Sequence, residues 1–405
     1  MQLILRIALP LMFALGQWQL VEKVYFAHVA LLFLLIVGSL AHCANTAFTL
    51  PKSLIGWSLI FVLSTIFATW SALNLEALRA STQLLLFVLS VMLPSLLVLD
   101  EQSIFALLYA ILAGAAFNAV AGLVQSVIWI SNYGFVLIAE GEWFRVTGVA
   151  VTPTDYVMQL IIGLALSGML TNLKLRNLAR SLFIVCLLFS NSRSALIVLV
   201  FFGFYQFSSA GLRTIFLTAT LIFIALMLSS ISDAGQLVLS RFADIFNFDF
   251  NVKRVVTFEN ISQRIFAETE HLLIGHGYGM YEFFHPIDLE VYNNPHNIYL
   301  YVLFSGGVLG FVTFFGLIAY LLQATRNLKQ LAKNSPQLTC LARSINFLHI
   351  NVLLIGLVET NIVGIGSGWT TGMCFGCALA ANRFIRSCQQ NSISSSRAFI
   401  RRNIS

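Results

Sequence analysis

The stretch Tyr292-Asn293-Asn294-Pro295-His296-Asn297-Ile298-Tyr299-Leu300, followed shortly by Ser305-Gly306-Gly307, marks the sharpest change of character in the chain. Before it lies a polar, acidic and partly aromatic loop running from Ser232 to His296. After it the chain returns to an apolar run. Working outward, almost everything else is apolar enough for a bilayer: 58% of the residues are hydrophobic, only 10% are charged, and the mean hydropathy is +0.86. A soluble domain carries about 25% charged residues. The composition therefore predicts an all-α, polytopic membrane protein with one large extramembrane loop.

About twelve apolar segments are long enough to matter in a bilayer. They cover 2–20, 25–42, 54–73, 82–99, 104–130, 157–171, 178–191, 194–209, 214–232, 297–323, 344–363 and 368–386. Met1 to Val21 carries Arg6 and Pro10 and lacks a small-residue cleavage site, so it reads as a first transmembrane helix. Segments seven and eight are short and meet at Asn191-Ser192-Arg193-Ser194, as two short helices or one broken one. Segment ten is long enough to begin on the surface before it spans.

Lys and Arg set the orientation. Lys174, Arg176, Arg180, Arg213, Arg326, Lys329, Lys333, Arg343 and the basic C-terminal residues all fall on one side if the segments alternate. That side is cytoplasmic, with both termini inside and the long loop outside. The organisation expected is N-terminal helices over 1–130, a functional region over 131–323 that includes the loop 233–296, C-terminal helices over 324–388, and a disordered basic tail over 389–405. None of the six cysteines lies in the long loop. The Cys374-Phe-Gly-Cys377 spacing sits in an apolar run with no partner ligands, and reads as core.

Polar groups that survive in such a chain are site candidates. Arg193, flanked by Ser190, Ser192 and Ser194, would cost about 2.5–3.5 kcal/mol at a helix centre, so it belongs at an interface or a polar cavity. Arg264 lies on a stretch, Ile261 to Ile274, whose apolar residues suit an amphipathic helix. The sequence Gly275-His-Gly277-Tyr-Gly279 would end that helix and allow close approach to a ligand. His296 follows Pro295 at a helix start, where an imidazole suits general-base work; Asn297 adds a hydrogen-bonding group. Arg145 and Asp155, in the shorter outer loop, suit anion binding and the orientation of a base or hydroxyl. His271, His276, His285 and His296 show no HxH or HxxxH spacing, which argues against a metal. Arginine forks suit a pyrophosphate and aromatics suit sugar faces. No nucleotide or nucleic-acid site is legible, so an activated donor must already reside in the membrane.

These residues together resemble the O-antigen ligase and O-antigen polymerase superfamily. The likeness rests on Ser192-Arg193-Ser194 at a helix break and on Arg264 with ten residues between it and Gly275. It also rests on His296-Asn297 with ten residues between His296 and Gly307, and on Arg145-x-x-Gly148 with Thr152-Pro153. The resemblance covers about 140–320. It implies an inverting, metal-independent glycosyltransferase of the bacterial inner membrane, without a cofactor. Such an enzyme moves a glycan from undecaprenyl pyrophosphate to an acceptor hydroxyl at the periplasmic face. The resemblance further implies that Arg193 and Arg264 hold the donor pyrophosphate and that His296 activates the acceptor. Arg145, Asp155, Asn297, Gly275, Gly277 and Gly307 would complete substrate binding. The acceptor is lipid A core for a ligase, which is preferred, or a second lipid-linked glycan for a polymerase. A lipid-linked glycan transporter is a further alternative, but the first half of the chain lacks the intramembrane charges that one would need.

Overall fold

A computed structural model gives the fold. It describes residues 51–72, 75–97, 100–133, 146–150, 152–190, 192–207, 248–286, 289–292, 294–332, 335–360 and 367–404, with isolated residues among 12–36 and 138–143. Side chains are not described at all of these positions.

Among the described residues the chain is a helical bundle. The helices are α1 (Lys52–Ala72), α2 (Leu75–Leu97), α3 (Glu101–Tyr133), α4 (Pro153–Ser167) and α5 (Leu173–Phe189). They continue with α6 (Arg193–Phe207), α7 (Phe248–Ala267), α8 (Ile298–Leu331), α9 (Pro336–Gly356) and α10 (Ser367–Ile404). Among the described residues strands occur only as two- and three-residue hairpins: β1–β2 (Gln19–Val21, Val24–Tyr25), β3–β4 (Ile138–Ala139, Glu142–Trp143) and β5–β6 (Phe283–Phe284, Val291–Tyr292).

Nine of the twelve apolar segments coincide with helices. Segments 2–20, 25–42 and 214–232 lie largely or wholly outside the described residues. Among the described residues, four helices are long and apolar enough to cross a membrane: Lys52–Trp70 within α1, α3, α8 and α9. Their outward faces suit lipid. Leu59, Phe67, Trp70, Val124 and Val127 are all exposed, and a bundle in water would not carry so broad an apolar exterior. Segments seven and eight are two separate helices, α5 and α6, parted at Ser190–Ser192.

Small residues bring helices into close contact, as expected where lipid removes the hydrophobic drive between helices. On α10, Gly372 and Gly376 lie against α2; a Cβ on Gly376 would stand 2.3 Å from the Val91 carbonyl oxygen. Cys374 and Cys377 are buried on this helix, within the main core. α10 continues as helix through Ile404, where composition predicted a disordered tail from Gln389. Beyond Gly376 the sequence holds no glycine or proline to stop it.

α7 differs from the others. It is polar along one face, and Ile261 and Ile265 pack with Tyr281 and Phe304 into a small core separate from the main one. The helix begins at Phe248 and ends at Ala267, earlier at both ends than the Ile261–Ile274 expected from sequence. A 3-10 turn, Thr269–His271, follows it.

Candidate functional site

The site is built around a break in α8. At Gly307 the backbone turns to φ 61° and the helix divides into 298–306 and 308–331. The second part has 24 residues, about 36 Å at 1.5 Å per residue, enough to span alone. The first part packs with α7 through Phe304.

A break inside an apolar helix frees backbone groups that must be satisfied. In an unbroken helix the amides of Val308 and Leu309 would bond the carbonyls of Phe304 and Ser305. Here they donate to Leu272 and Leu273 at 2.9 and 3.1 Å instead. The vacated carbonyls of Phe304 and Ser305 accept from His276 and Gly277, both at 2.9 Å. Two helical bonds are thus replaced by four bonds to the loop Leu272–Gly277. Two backbones cross here, and only glycine fits. A Cβ on Gly275 would stand 2.3 Å from the Ser305 carbonyl oxygen, and one on Gly307 2.4 Å from that of Leu273, with φ positive at both. Gly277, also at positive φ, meets α1 at Ala72. Gly275 and Gly277 are expected from the sequence to allow close approach to a ligand, and Gly307 to join substrate binding by resemblance. In the structure the close approach is made by protein backbone and by Ala72.

At the start of α8 the chain doubles back. His296 has φ 51°, a left-handed conformation disfavoured for a side-chain-bearing residue by roughly 1–2 kcal/mol. Its amide donates to Asn294 Oδ1 at 2.8 Å, which holds the turn. The His296 ring places Nδ1 3.2 Å from Glu359 Oε2, just beyond the end of α9. Glu359 Oε1 in turn lies 3.6 Å from Arg254 Nη2 on α7. Arg254 Nη1 also donates to the Val358 carbonyl at 3.2 Å. Two further bonds fasten the same segments: Asn294 Nδ2 to Thr360 Oγ1 at 2.9 Å and Asn297 Nδ2 to the Leu357 carbonyl at 3.1 Å. Glu359 is 14% exposed and Arg254 27%, whereas His296 is 36% exposed. The carboxylate is enclosed and the imidazole faces outward.

This arrangement has a clear chemical meaning. An ionised Glu359 accepts a hydrogen bond from Nδ1–H and thereby fixes the tautomer. The lone pair of a neutral ring is then on Nε2, which has no hydrogen-bond partner among the described residues. A carboxylate-oriented imidazole of this kind can take a proton from a hydroxyl.

Arg264 lies elsewhere on α7. It is ten residues after Arg254, a rise of about 15 Å along the helix. Its Nη1 donates to the Glu282 carbonyl at 3.0 Å and its guanidinium lies 5.2 Å from the centre of the Phe304 ring. Arg254 shares Glu359 with His296, and it is not among the residues expected from the sequence. The sequence reading began the amphipathic helix at Ile261 and treated Arg254 as loop. Glu359 was also missed, although an acid at the edge of an apolar segment is a site signal in its own right.

Arg193 is the first residue of α6; its side chain lies outside those described. Arg145 lies outside the described residues altogether. Asp155 closes the start of α4: its amide donates to Thr152 Oγ1 at 3.1 Å, and its carboxylate accepts from the same hydroxyl at 2.9 Å. Asn297 caps α8, its Oδ1 accepting from the Leu300 amide at 3.0 Å.

The fold also joins residues whose spacing argued against a metal. Gly275 lets the chain turn so that ligand atoms of Glu268, His271 and His276 lie within 4.8 Å of one another. The His276 ring stacks between His271 and Phe304, at 4.4 and 4.3 Å between centres, and its Nδ1 lies 3.4 Å from Glu268. Burial, reinforced by His271 and by Arg264 and opposed by Glu268, lowers the His276 pKa below its ordinary value. His285, the remaining loop histidine, is buried between Phe283 and Tyr292.

No protein-family model and no curated protein matches this chain.

Proposed function

We propose that the chain is an inverting glycosyltransferase of the bacterial inner membrane. It takes its glycan from undecaprenyl pyrophosphate and passes it to an acceptor hydroxyl at the periplasmic face. The His296 end of the bundle is then periplasmic and both termini are cytoplasmic. The observation that carries the reading is the chain His296–Glu359–Arg254, a proton acceptor held by a carboxylate beside a cation. It lies where the polar helix α7 meets the start of α8, a helix long and apolar enough to span. A donor whose lipid stays in the bilayer and whose sugar reaches water needs such a boundary.

In the reaction the acceptor hydroxyl oxygen attacks the anomeric carbon opposite the pyrophosphate. Its proton passes to His296 Nε2. The bond from the anomeric carbon to the pyrophosphate oxygen breaks, and the electron pair leaves with the pyrophosphate. Arginine is suited to the charge that develops there. Arg254 is the nearest candidate by its partners; Arg193 and Arg264 remain donor-binding candidates by resemblance. Lipid A core is the preferred acceptor, as in a ligase.

The test is a reconstituted assay with lipid-linked glycan, offering lipid A core and a second lipid-linked glycan in separate reactions. Transfer to lipid A core supports the ligase, and transfer to the second glycan makes the chain a polymerase. Absence of transfer to both removes the proposal.

A further inference from the structure

At the end of α9 far from His296, five helix ends enclose a cavity of about 500 Å³. α9 separates the two regions: Cys340, Arg343 and Ser344 line the cavity near its start, and Glu359 follows its last turn, about 24 Å from Arg343 by helix rise. Among the described lining residues are four cations, Arg176, Arg180, Lys329 and Arg343, and no acid. Arg176 and Arg180, one turn apart on α5, are half-buried; Lys329 and Arg343 are exposed at the rim.

An excess of basic residues at one membrane face follows from topology alone. That rule does not require them to converge. Like charges brought together repel, and partial burial of a guanidinium costs solvation. Yet the Nε atoms of Arg176 and Arg180 are both buried and lack a hydrogen-bond partner among the described residues. Arg180 also lies 5.8 Å from the centre of the Phe202 ring, which holds its planar group at the wall of the cavity. Polar groups of Ser344 and Asn346 line the same space. Unpaired guanidinium donors and converging cations, with no carboxylate among the described lining residues, describe an anion receptor.

We propose that this cavity binds a phosphate group, esterified or free. The phosphate would accept from Arg176 and Arg180 in the cavity and be neutralised at the rim by Lys329 and Arg343. Leu175 and Leu178, beside the two arginines on α5, are 50% and 68% exposed. That apolar face places the mouth of the cavity against lipid, so a phospholipid headgroup is one source; a free phosphate from solution is the other. Basic pockets between membrane helices are suited to either. The site is distinct from the His296 region and does not depend on the function proposed for it.

The experiment uses the full chain, purified in detergent and stripped of lipid, with binding followed by native mass spectrometry. The probes are cardiolipin, phosphatidylglycerol, phosphatidylcholine and inorganic pyrophosphate. Retention of the anionic lipids over phosphatidylcholine identifies a headgroup, and retention of pyrophosphate a soluble phosphate. In either case R176Q/R180Q is expected to weaken binding about tenfold or more. K174Q, an exposed neighbour outside the cavity, should leave it within about twofold. Should the double variant fail to fold, R343Q at the rim should weaken binding about threefold. No preference for an anionic probe overturns the proposal. So does wild-type affinity in whichever of R176Q/R180Q and R343Q folds, or an equal loss in K174Q.

Discussion

His296 and Glu359 are 63 residues apart in sequence and 3.2 Å apart in space, and the contact joins the start of α8 to the end of α9. The histidine reaches it from a left-handed backbone conformation that its neighbours impose. A strained residue is retained when the surrounding structure over-determines it, and such residues concentrate at functional sites. On the proposed mechanism, H296A should lower glycan transfer by roughly 10²–10⁴-fold, the usual contribution of a general base. E359Q should lower kcat by roughly tenfold or more while leaving KM nearly unchanged, since it alters the orientation of the ring. Steady-state kinetics with a saturating donor check both. Near-normal transfer by H296A would remove it as the base.

Arg254 and Arg264 offer a direct comparison. They share α7, but only Arg254 adjoins Glu359. If chemistry occurs beside His296, R254Q should reduce transfer more than R264Q, by roughly tenfold, with both proteins membrane-inserted. The reverse order would move the reacting centre toward Phe304 and Tyr281.

The crossing at Gly275 and Gly307 should be intolerant of any side chain. G275A and G307A each introduce a Cβ against backbone, at a positive φ. Each is expected to destabilise by at least about 2 kcal/mol. The double variant should lose less than the sum, because both substitutions open the same crossing. Thermal unfolding in nanodiscs measures this.

His276 should make stability depend on pH. Its folded pKa lies below the ordinary 6.5, so the unfolded chain binds more protons in the interval between the two. The stabilising contribution is therefore complete above about 6.5 and is lost as pH falls through the folded value. Melting curves from pH 7.5 down to 5 should show a decline that H276Q reduces. Identical slopes for the two proteins would contradict this.

Much of the helical plan was legible because apolar length is a local property. Segments as short as those on either side of Ser192 were found, and the break between them was read from its serines and Arg193. His296 was legible too, since Pro-His-Asn before an apolar run marks a helix start. Its partners were not. Arg254 lies on a helix whose polar face hides the apolar residues in a linear reading, and Glu359 meets it only through tertiary packing. The glycines show a different limit. Their pattern signalled that something comes close to the backbone; that it was the broken helix of the same chain follows only from three-dimensional structure.

The replacement of two helical bonds at Gly307 by four loop bonds has a consequence for biosynthesis. Leu272 to Gly277 are translated before Ser305 to Leu309. When the interrupted part of α8 leaves the ribosome, the donors and acceptors it requires have therefore already been made. The discontinuous helix need not wait for a later segment, and chain order alone supplies its complement as the nascent protein enters the bilayer.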